Sequence, residues 1–444
     1  MQTIISSTVP TGLATGDCRG SLAIKEPVAS FLHIEEFPTA GLGIASGLCQ
    51  ELAEEFGVPI EVPALAVLAT VGVCFGSGAQ IAIGQGRSVA GNLFCVFGAA
   101  PGSAVPMVLD IVLDPLWSTH IDELREGDLV LRMVEYLDRR NLLHALANNA
   151  GAGLLFASEN GKILRTLVTP DRSGPDLELL GRGLNRLPFV IRENRSSVRC
   201  PTPSLSLCVT AGPDDLQYFL SGFGRLPQLI RQACIVLPDN AAPGPIAACM
   251  SSPQEKNWNE WIFGLFDFAR AFSEMSVFAP EQKASLEARN ILAQFRNDVV
   301  TLADLLDGVA RDQVLALPSL AARLCPSLIL LQTRDWHQLL KVPAQIANVA
   351  VTMAKRFAGL QLAALLAAQG DPEGGLERVE EQTMLAKIKV RGGRVKRRDL
   401  YRGYAKQTSA LHDPVIARLI AKELLSQEGS SWLVLTHQRV MQSS

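Results

Sequence analysis

Residues Asn92 to Trp117, NLFCVFGAAPGSAVPMVLDIVLDPLW, decide how the rest of the chain is read. Leu93-Phe94-Cys95-Val96-Phe97 is an uninterrupted apolar run of strand length and β-rich composition. Gly98-Ala99-Ala100-Pro101-Gly102-Ser103 is a loop of small residues, and Val108 to Leu116 is an apolar run of helical length. Strand, Gly/Ser/Pro loop and helix, in that order, form a cradle for phosphates. Backbone N–H groups of the loop and the helix N-terminus together make an anion site. The version that serves nucleotide hydrolysis reads G-x-x-x-x-G-K-[ST]. In the best register here Ala104 fills the second glycine slot, Val105 the lysine slot and Pro106 the Ser/Thr slot. Gly98, Gly102, Ser103 and Ala104 are therefore the candidate phosphate-contacting residues of a degenerate loop.

The two absent groups carry much of the affinity. The lysine makes charge-assisted hydrogen bonds to phosphate oxygens and the hydroxyl holds Mg²⁺. Charged hydrogen bonds contribute roughly 1.5–3 kcal/mol each. Losing both costs roughly 3–6 kcal/mol, which takes a micromolar site toward millimolar. The helix dipole that remains contributes only about 0.3–1 kcal/mol. The competing explanation of the stretch is an ordinary βα turn whose small residues allow close packing.

Composition narrows the class. The chain has 444 residues, 48% of them hydrophobic and 19% charged, which fits a folded, core-rich protein of two to four domains. The net charge of −3 confines any nucleic-acid surface to a local patch. Nine cysteines without C-x-x-C pairs, several inside apolar runs (Cys95, Cys208, Cys234), read as buried thiols of a reducing cytosol. The six His form no metal or triad spacing. No signal peptide is visible between Met1 and Phe31. Val62 to Ile83 is uncharged and long enough to cross a bilayer, but Pro63 and Gly76-Ser77-Gly78 argue for a buried helix, a turn and a strand.

In chain order, residues 1–35 read as a flexible arm, and Phe37-Pro38 opens the folded part. Ile44 to Phe56 and Pro63 to Phe75 have helical patterns, and Ala79 to Ile83 is a strand. After the loop and its helix, Ile121 to Leu146 reads as a charged helical segment. Gly153 to Ala157 is an apolar strand that runs into Ser158-Glu159. A nucleotide hydrolase keeps a metal-bound Asp and a water-activating Glu in such a place; Glu159 alone remains, and an exposed strand-end Glu is the equal alternative. Gly181 to Arg199 is an arginine-rich connection (Arg182, Arg186, Arg192, Arg195, Arg199), open to phosphates or simply solvated. Ser204 to Val209 is a strand, Asp214 to Leu220 a helix, and Ile230 to Leu237 a further element. Strands alternating with helices argue for a largely parallel α/β sheet. Trp258 to about Gly370 reads as helical throughout.

Beyond a Gly/Pro linker at 370–375 lies a basic module. Lys396 to Tyr404 is a helix candidate, Asp413-Pro414 opens a second helix over Val415 to Leu425, and Trp432 to Leu435 is a strand. Helix, turn, helix, strand with a basic face is a winged-helix pattern, with a protein-binding helical tail as the alternative. Arg394, Lys396, Arg397, Arg398, Arg402, Arg418 and Lys422 are the candidate nucleic-acid contacts.

The order of these elements resembles the bacterial domain-of-unknown-function 3987 family, RecA-like proteins related to primase-helicases and often carried by prophages and other mobile elements. The resemblance rests on Phe37-Pro38, Pro63 to Gly72, Asn92-Leu93-Phe94, Gly153 to Glu159, Pro203 to Val209, Leu229 to Val236 and Arg394 to Gly403. It implies a RecA-like α/β domain over residues 36–245, an all-helical domain over 246–370 and a winged-helix-like module over 376–444. The family keeps Lys-Ser where Val105-Pro106 stand, Asp-Glu where Ser158-Glu159 stand, and often an arginine where Gln232 stands, beside Arg231. Together these departures imply a member without ATP hydrolysis, binding no cofactor. Such a member would be a nucleic-acid-associated or scaffold component of a mobile element's replication or defence system. Its expected partners are duplex or single-stranded DNA, another protein or further copies of itself, and no membrane. The alternative is an active, helicase-like NTPase that uses ATP and Mg, with Glu159 as base and Arg231 as finger.

Overall fold

The structure is a computed structural model. It describes residues 26–74, 80–84, 87–126, 133–134, 139–148, 154–158, 161–169, 176–193, 196–226, 232–237, 252–275, 282–306, 308–332, 334, 336, 341–369, 384–385, 388–389, 391, 393–397, 399, 409–422, 424–428 and 432–436. Three helices lead in: α1 (Glu26–Leu32), α2 (Ser46–Phe56) and α3 (Glu61–Cys74). Every residue of α3 is buried, so its uniformly apolar sequence reflects a core helix. A hairpin, β1 (Gln80–Gly84) and β2 (Arg87–Ala90), precedes β3 (Phe94–Gly98), the strand that feeds the loop.

Next come α4 (Val105–Glu126), β4 (Met133–Val134), α5 (Arg139–Asn148), β5 (Leu154–Ser158), α6 (Lys162–Val168) and α7 (Leu177–Leu184). A second hairpin, β6 (Phe189–Glu193) and β7 (Ser196–Cys200), leads to β8 (Leu205–Ala211), α8 (Pro213–Gly222) and β9 (Ala233–Val236). The central sheet has the order β4-β5-β8-β3-β9, with every pair parallel. Both its faces are covered, which explains the unbroken apolar runs. Alternate residues go to opposite sides: Cys95, Phe97, Cys208, Cys234 and Val236 join one core cluster, and Phe94, Val96, Leu207, Val209 and Ile235 the other.

The remainder is α9 (Pro253–Met275), β10 (Gln282–Ala284), α10 (Leu286–Ala303), α11 (Gly308–Leu330), β11 (Lys341–Val342) and α12 (Ala344–Gln369). This region is helical but not all-helical. β10 pairs in parallel with β1, and β11 with β10, giving a second sheet of order β11-β10-β1-β2. The boundary expected at 245/246 does not divide the core. One cluster runs from Val28 to Leu362 and takes in α3, α4, α11 and α12. An ion pair also crosses it, Arg356 on α12 to the buried Glu61 on α3 at 2.6 Å. α11 is the one described helix long and apolar enough to cross a bilayer, and 78% of its most apolar window is buried against the rest of the protein.

The C-terminal module has its own core. Met384, Leu385, Ile388 and Lys389 are helical, followed by β12 (Arg394–Lys396), α13 (Ser409–Ala421), β13 (Leu425–Glu428) and β14 (Trp432–Leu435). Its antiparallel sheet has the order β12-β14-β13.

Several expectations change. The arm expected over 1–35 contains α1, whose Val28 and Leu32 are buried; residues 1–25 lie outside the described residues. The charged segment Ile121 to Leu146 is broken by β4, and the connection Gly181 to Arg199 holds the end of α7 and the β6–β7 hairpin. Arg394 and Lys396 stand on a strand, and the second helix opens at Ser409 and closes at Ala421.

Candidate functional site

The loop follows β3 as its sequence suggests. A side chain at Gly98 would meet Leu237 Cδ2 at 3.0 Å and Leu216 Cδ2 at 3.3 Å, so the glycine lets the two leucines pack closely on the end of β3. Gly102 has φ +80° with nothing within 4 Å of a built Cβ, a left-handed turn over open space. The Ala99 amide donates to the Ala211 carbonyl at 2.9 Å, and the Ser103 amide to the Ala100 carbonyl at 2.9 Å. Two loop donors are thus committed inside the protein. Ser103 Oγ is buried with no hydrogen-bond partner among the described residues.

Ala104 immediately precedes α4 and Val105 opens it; both are fully buried, in one cluster with Val108, Leu109 and Val112. The side chain in the lysine slot therefore enters the core. Pro106 follows in the first helical turn, where a missing N–H is tolerated. The residues present do not fit a nucleotide with Mg²⁺: neither a cation nor a hydroxyl stands at the two positions that would hold them.

The strands are parallel, so Gly98, Ser158, Ala211 and Val236 end at one edge of the sheet. Ligands of open α/β sheets bind in the crevice at this edge. Here α6 and α8 lock together. Arg165 pairs with Asp215 in the first turn of α8, and its guanidinium lies 5.4 Å from the centre of the Tyr218 ring. The Thr169 and Tyr218 hydroxyls are 2.6 Å apart. A Cβ on Gly161 would sit 2.8 Å from Asp215 Cβ, so the strand β5 connection also packs onto α8. Asp214 and Asp215 bring negative charge to the edge where polyphosphate would sit, and Arg165 is already engaged.

Glu159 and Arg231 lie outside the described residues. Gln232 immediately precedes β9, whose first residue, Ala233, is the register partner of Phe94 at the start of β3. Gln232 thus sits at the edge opposite the loop, not beside it.

That opposite edge carries a polar cluster that sequence reasoning missed. Arg323 on α11, 6% exposed, donates to the Asn92 and Leu184 carbonyls at 2.9 Å each and to Asn185 Oδ1. Asn92 Nδ2 donates to Ser204 Oγ at 3.0 Å, and the Leu93 amide to Ser206 Oγ at 3.2 Å. Burial pushes Arg323 down to about 10, so it stays charged at neutral pH, without a carboxylate partner among the described residues. It fixes the start of the strand whose other end is the loop. The available signal was a lone charge in the run from Gln313 to Gln332.

Of the arginines between 181 and 199, Arg182 bonds Glu178, Arg186 is largely enclosed and pushed down to about 10, and Arg192 and Arg199 are exposed on the hairpin. Arg195 lies outside the described residues. All seven described cysteines are buried thiols, none in a disulfide. Cys208, Cys95 and Cys234 stand side by side in register on β8, β3 and β9, and burial raises the Cys95 and Cys234 thiols.

The basic residues of the C-terminal module do not form one face. Val395, Leu425 and Leu433 turn toward α13, whose Val415, Ile416 and Leu419 complete the core. Arg394, Lys396 and Trp432 therefore share the outward face of the sheet, since register pairs Lys396 with Trp432. Arg418, in the last turn of α13, is half-buried, and Lys422, just past its end, is exposed. Arg397 donates to Asp413 at 2.5 Å. Arg398 and Arg402 lie outside the described residues.

Neither the models of known protein families nor the curated proteins match this chain.

Proposed function

We propose that the chain is a RecA-like protein that neither binds nor hydrolyses ATP. It acts in the cytoplasm as a nucleic-acid-associated or scaffold component of a mobile element's replication or defence system. The observation that carries this reading is the full burial of Val105 at the start of the helix that follows the loop. The strand order supports the RecA-like part. The loop strand β3 and the acid-end strand β5 are separated by β8, with β9 on the far side. This differs from the doubly wound 3-2-1-4-5-6 and 2-1-3-4-5 orders, and is the arrangement expected of a RecA-like core.

The C-terminal module supports the nucleic-acid part. Helix, strand, helix, helix, strand, strand, with the first strand beside the last, is the winged-helix order. Among the described residues Met384, Leu385, Ile388 and Lys389, then β12, the helical Arg397 and Asp399, α13, β13 and β14 follow this order. Its fitting partner is DNA, with α13 toward a duplex groove.

The test is Mg²⁺-dependent phosphate release by the full chain, with and without DNA. The proposal expects none above background in either case. Steady turnover that Glu159→Gln abolishes would replace it with the alternative.

A further inference from the structure

The outward face of the β12-β14-β13 sheet gathers an aromatic ring and several cations. At its centre Trp432 lies beneath two cations. Arg394 Cζ is 4.6 Å and Lys396 Nζ 4.9 Å from the centre of its rings. Two like charges held over one aromatic ring are stabilised by its quadrupole, and each keeps its outer side for another group. Beside them is a cleft of about 400 Å³ lined by Arg391, Arg394, Val395, Lys396, Asp399 and Trp432. A cleft of this volume falls in the range that takes a small ligand, and one nucleotide is of that size.

The charges of the cleft do not cancel. Arg394 pairs with Glu428 at 3.0 Å, and Arg391 donates to the Asp399 backbone carbonyl at 2.9 Å. Among the described residues neither Arg391 nor Lys396 has a carboxylate partner. Three cations against Asp399 and Glu428 leave one positive charge, which matches one phosphodiester. A guanidinium over an indole adds a surface on which a base can lie. Aromatic platform and cations together are the features of a single-strand groove, whereas duplex binding needs an element that enters a groove.

We propose that this sheet face binds a segment of single-stranded nucleic acid. One base stacks on the Arg394–Trp432 pair, and the adjoining phosphates contact Lys396 and Arg391. The inference rests on the reading of the module as nucleic-acid-binding and adds to it a second surface, on the side of the sheet away from α13. The chain then grips a junction, with duplex against α13 and single strand across the sheet.

The experiment uses the full chain and two labelled probes, an oligothymidylate single strand and a blunt duplex of equal length, titrated at several salt concentrations. Trp432 and Lys396 lie outside the module's apolar core, and thermal unfolding verifies that each variant folds. Base–aromatic stacking contributes about 1–3 kcal/mol, so Trp432→Ala weakens single-strand binding between about fivefold and 150-fold. Trp432→Phe retains most of the affinity, and duplex binding stays within about twofold, since its phosphate contacts lie elsewhere. Lys396→Gln flattens the single-strand salt slope by about 0.7, the share of one phosphate. If the wild type binds the single strand and Trp432→Ala and Lys396→Gln bind it equally well, the sheet site is refuted while the module's role stands. Equal loss of duplex and single strand in Trp432→Ala refutes it too. A wild type that binds neither probe overturns the reading of the module and this inference with it.

Discussion

Val105 takes the place where a phosphate-binding lysine would stand, and its side chain is fully buried among Val108, Leu109 and Val112. Restoring the lysine does not restore the site. An ammonium in that position is stripped of water and lacks a counter-charge. Val105→Lys is predicted to lower unfolding stability by about 3 kcal/mol or more, and to leave nucleotide affinity unchanged. Urea titration followed by circular dichroism measures the first, and a loss under about 1 kcal/mol would show that the side chain points elsewhere. The buried thiols make a second prediction. Burial pushes Cys234 and Cys325 up from 9.0 to about 12 each. In the unfolded chain these thiols ionise near their ordinary value, while in the folded chain they stay neutral. A folded pKa raised above the unfolded one means that the stabilisation is complete below about pH 9 and is lost as pH rises toward 12. Each thiol contributes a slope of about −1.4 kcal/mol per pH unit in that window. Cys234→Ala and Cys325→Ala should each flatten the alkaline loss by that amount; an unchanged slope would contradict the burial.

At the scale of elements, α13 is the duplex-facing part of the account. Arg418, in the last turn of α13, and Lys422, just past its end, are four residues apart. Each phosphate contact adds about −0.9 to the slope of log affinity against log salt. Arg418→Ala and Lys422→Ala are each predicted to reduce the duplex slope by about that much, read by gel shift at several salt concentrations. Unaltered slopes in both would show that this end of the helix is only solvated. Which elements were legible in the sequence follows from their length and pattern. β3, the loop and α4 were legible because a strand run, a small-residue turn and a helical run adjoin without interruption. β4, β10 and β11 are two or three residues long, too short to carry periodicity, and pair with distant strands. Lys396 read as the start of a helix because closely spaced cations suit a helix as well as a strand edge. Only pairing with β14 decides, and that partner lies more than 30 residues away. The face that each cation occupies follows from register, so the split between sheet and helix was not visible beforehand.

At the scale of the whole molecule, the parallel sheet orders everything else. Its alternating side chains feed two large clusters, and one of them carries the helices after residue 253 back onto α3 and α4. That is why a boundary near 245 looked natural in the sequence, where strand signals fade, and has no counterpart in the packing. The order β4-β5-β8-β3-β9 was out of reach of sequence patterns, because parallel neighbours are joined by long crossovers. It sets the loop, Ser158 and the first turn of α8 along one edge, with Arg323 clamping the other. At the first of these edges the helix after the loop opens with a valine buried in the core, and α8 opens with two acids. The most direct measurement is calorimetric titration of the full chain with ATP in the presence of Mg²⁺. The account predicts no saturable binding below about the millimolar range, as expected after a loss of roughly 3–6 kcal/mol. Micromolar, Mg²⁺-dependent binding to one site per chain would contradict it.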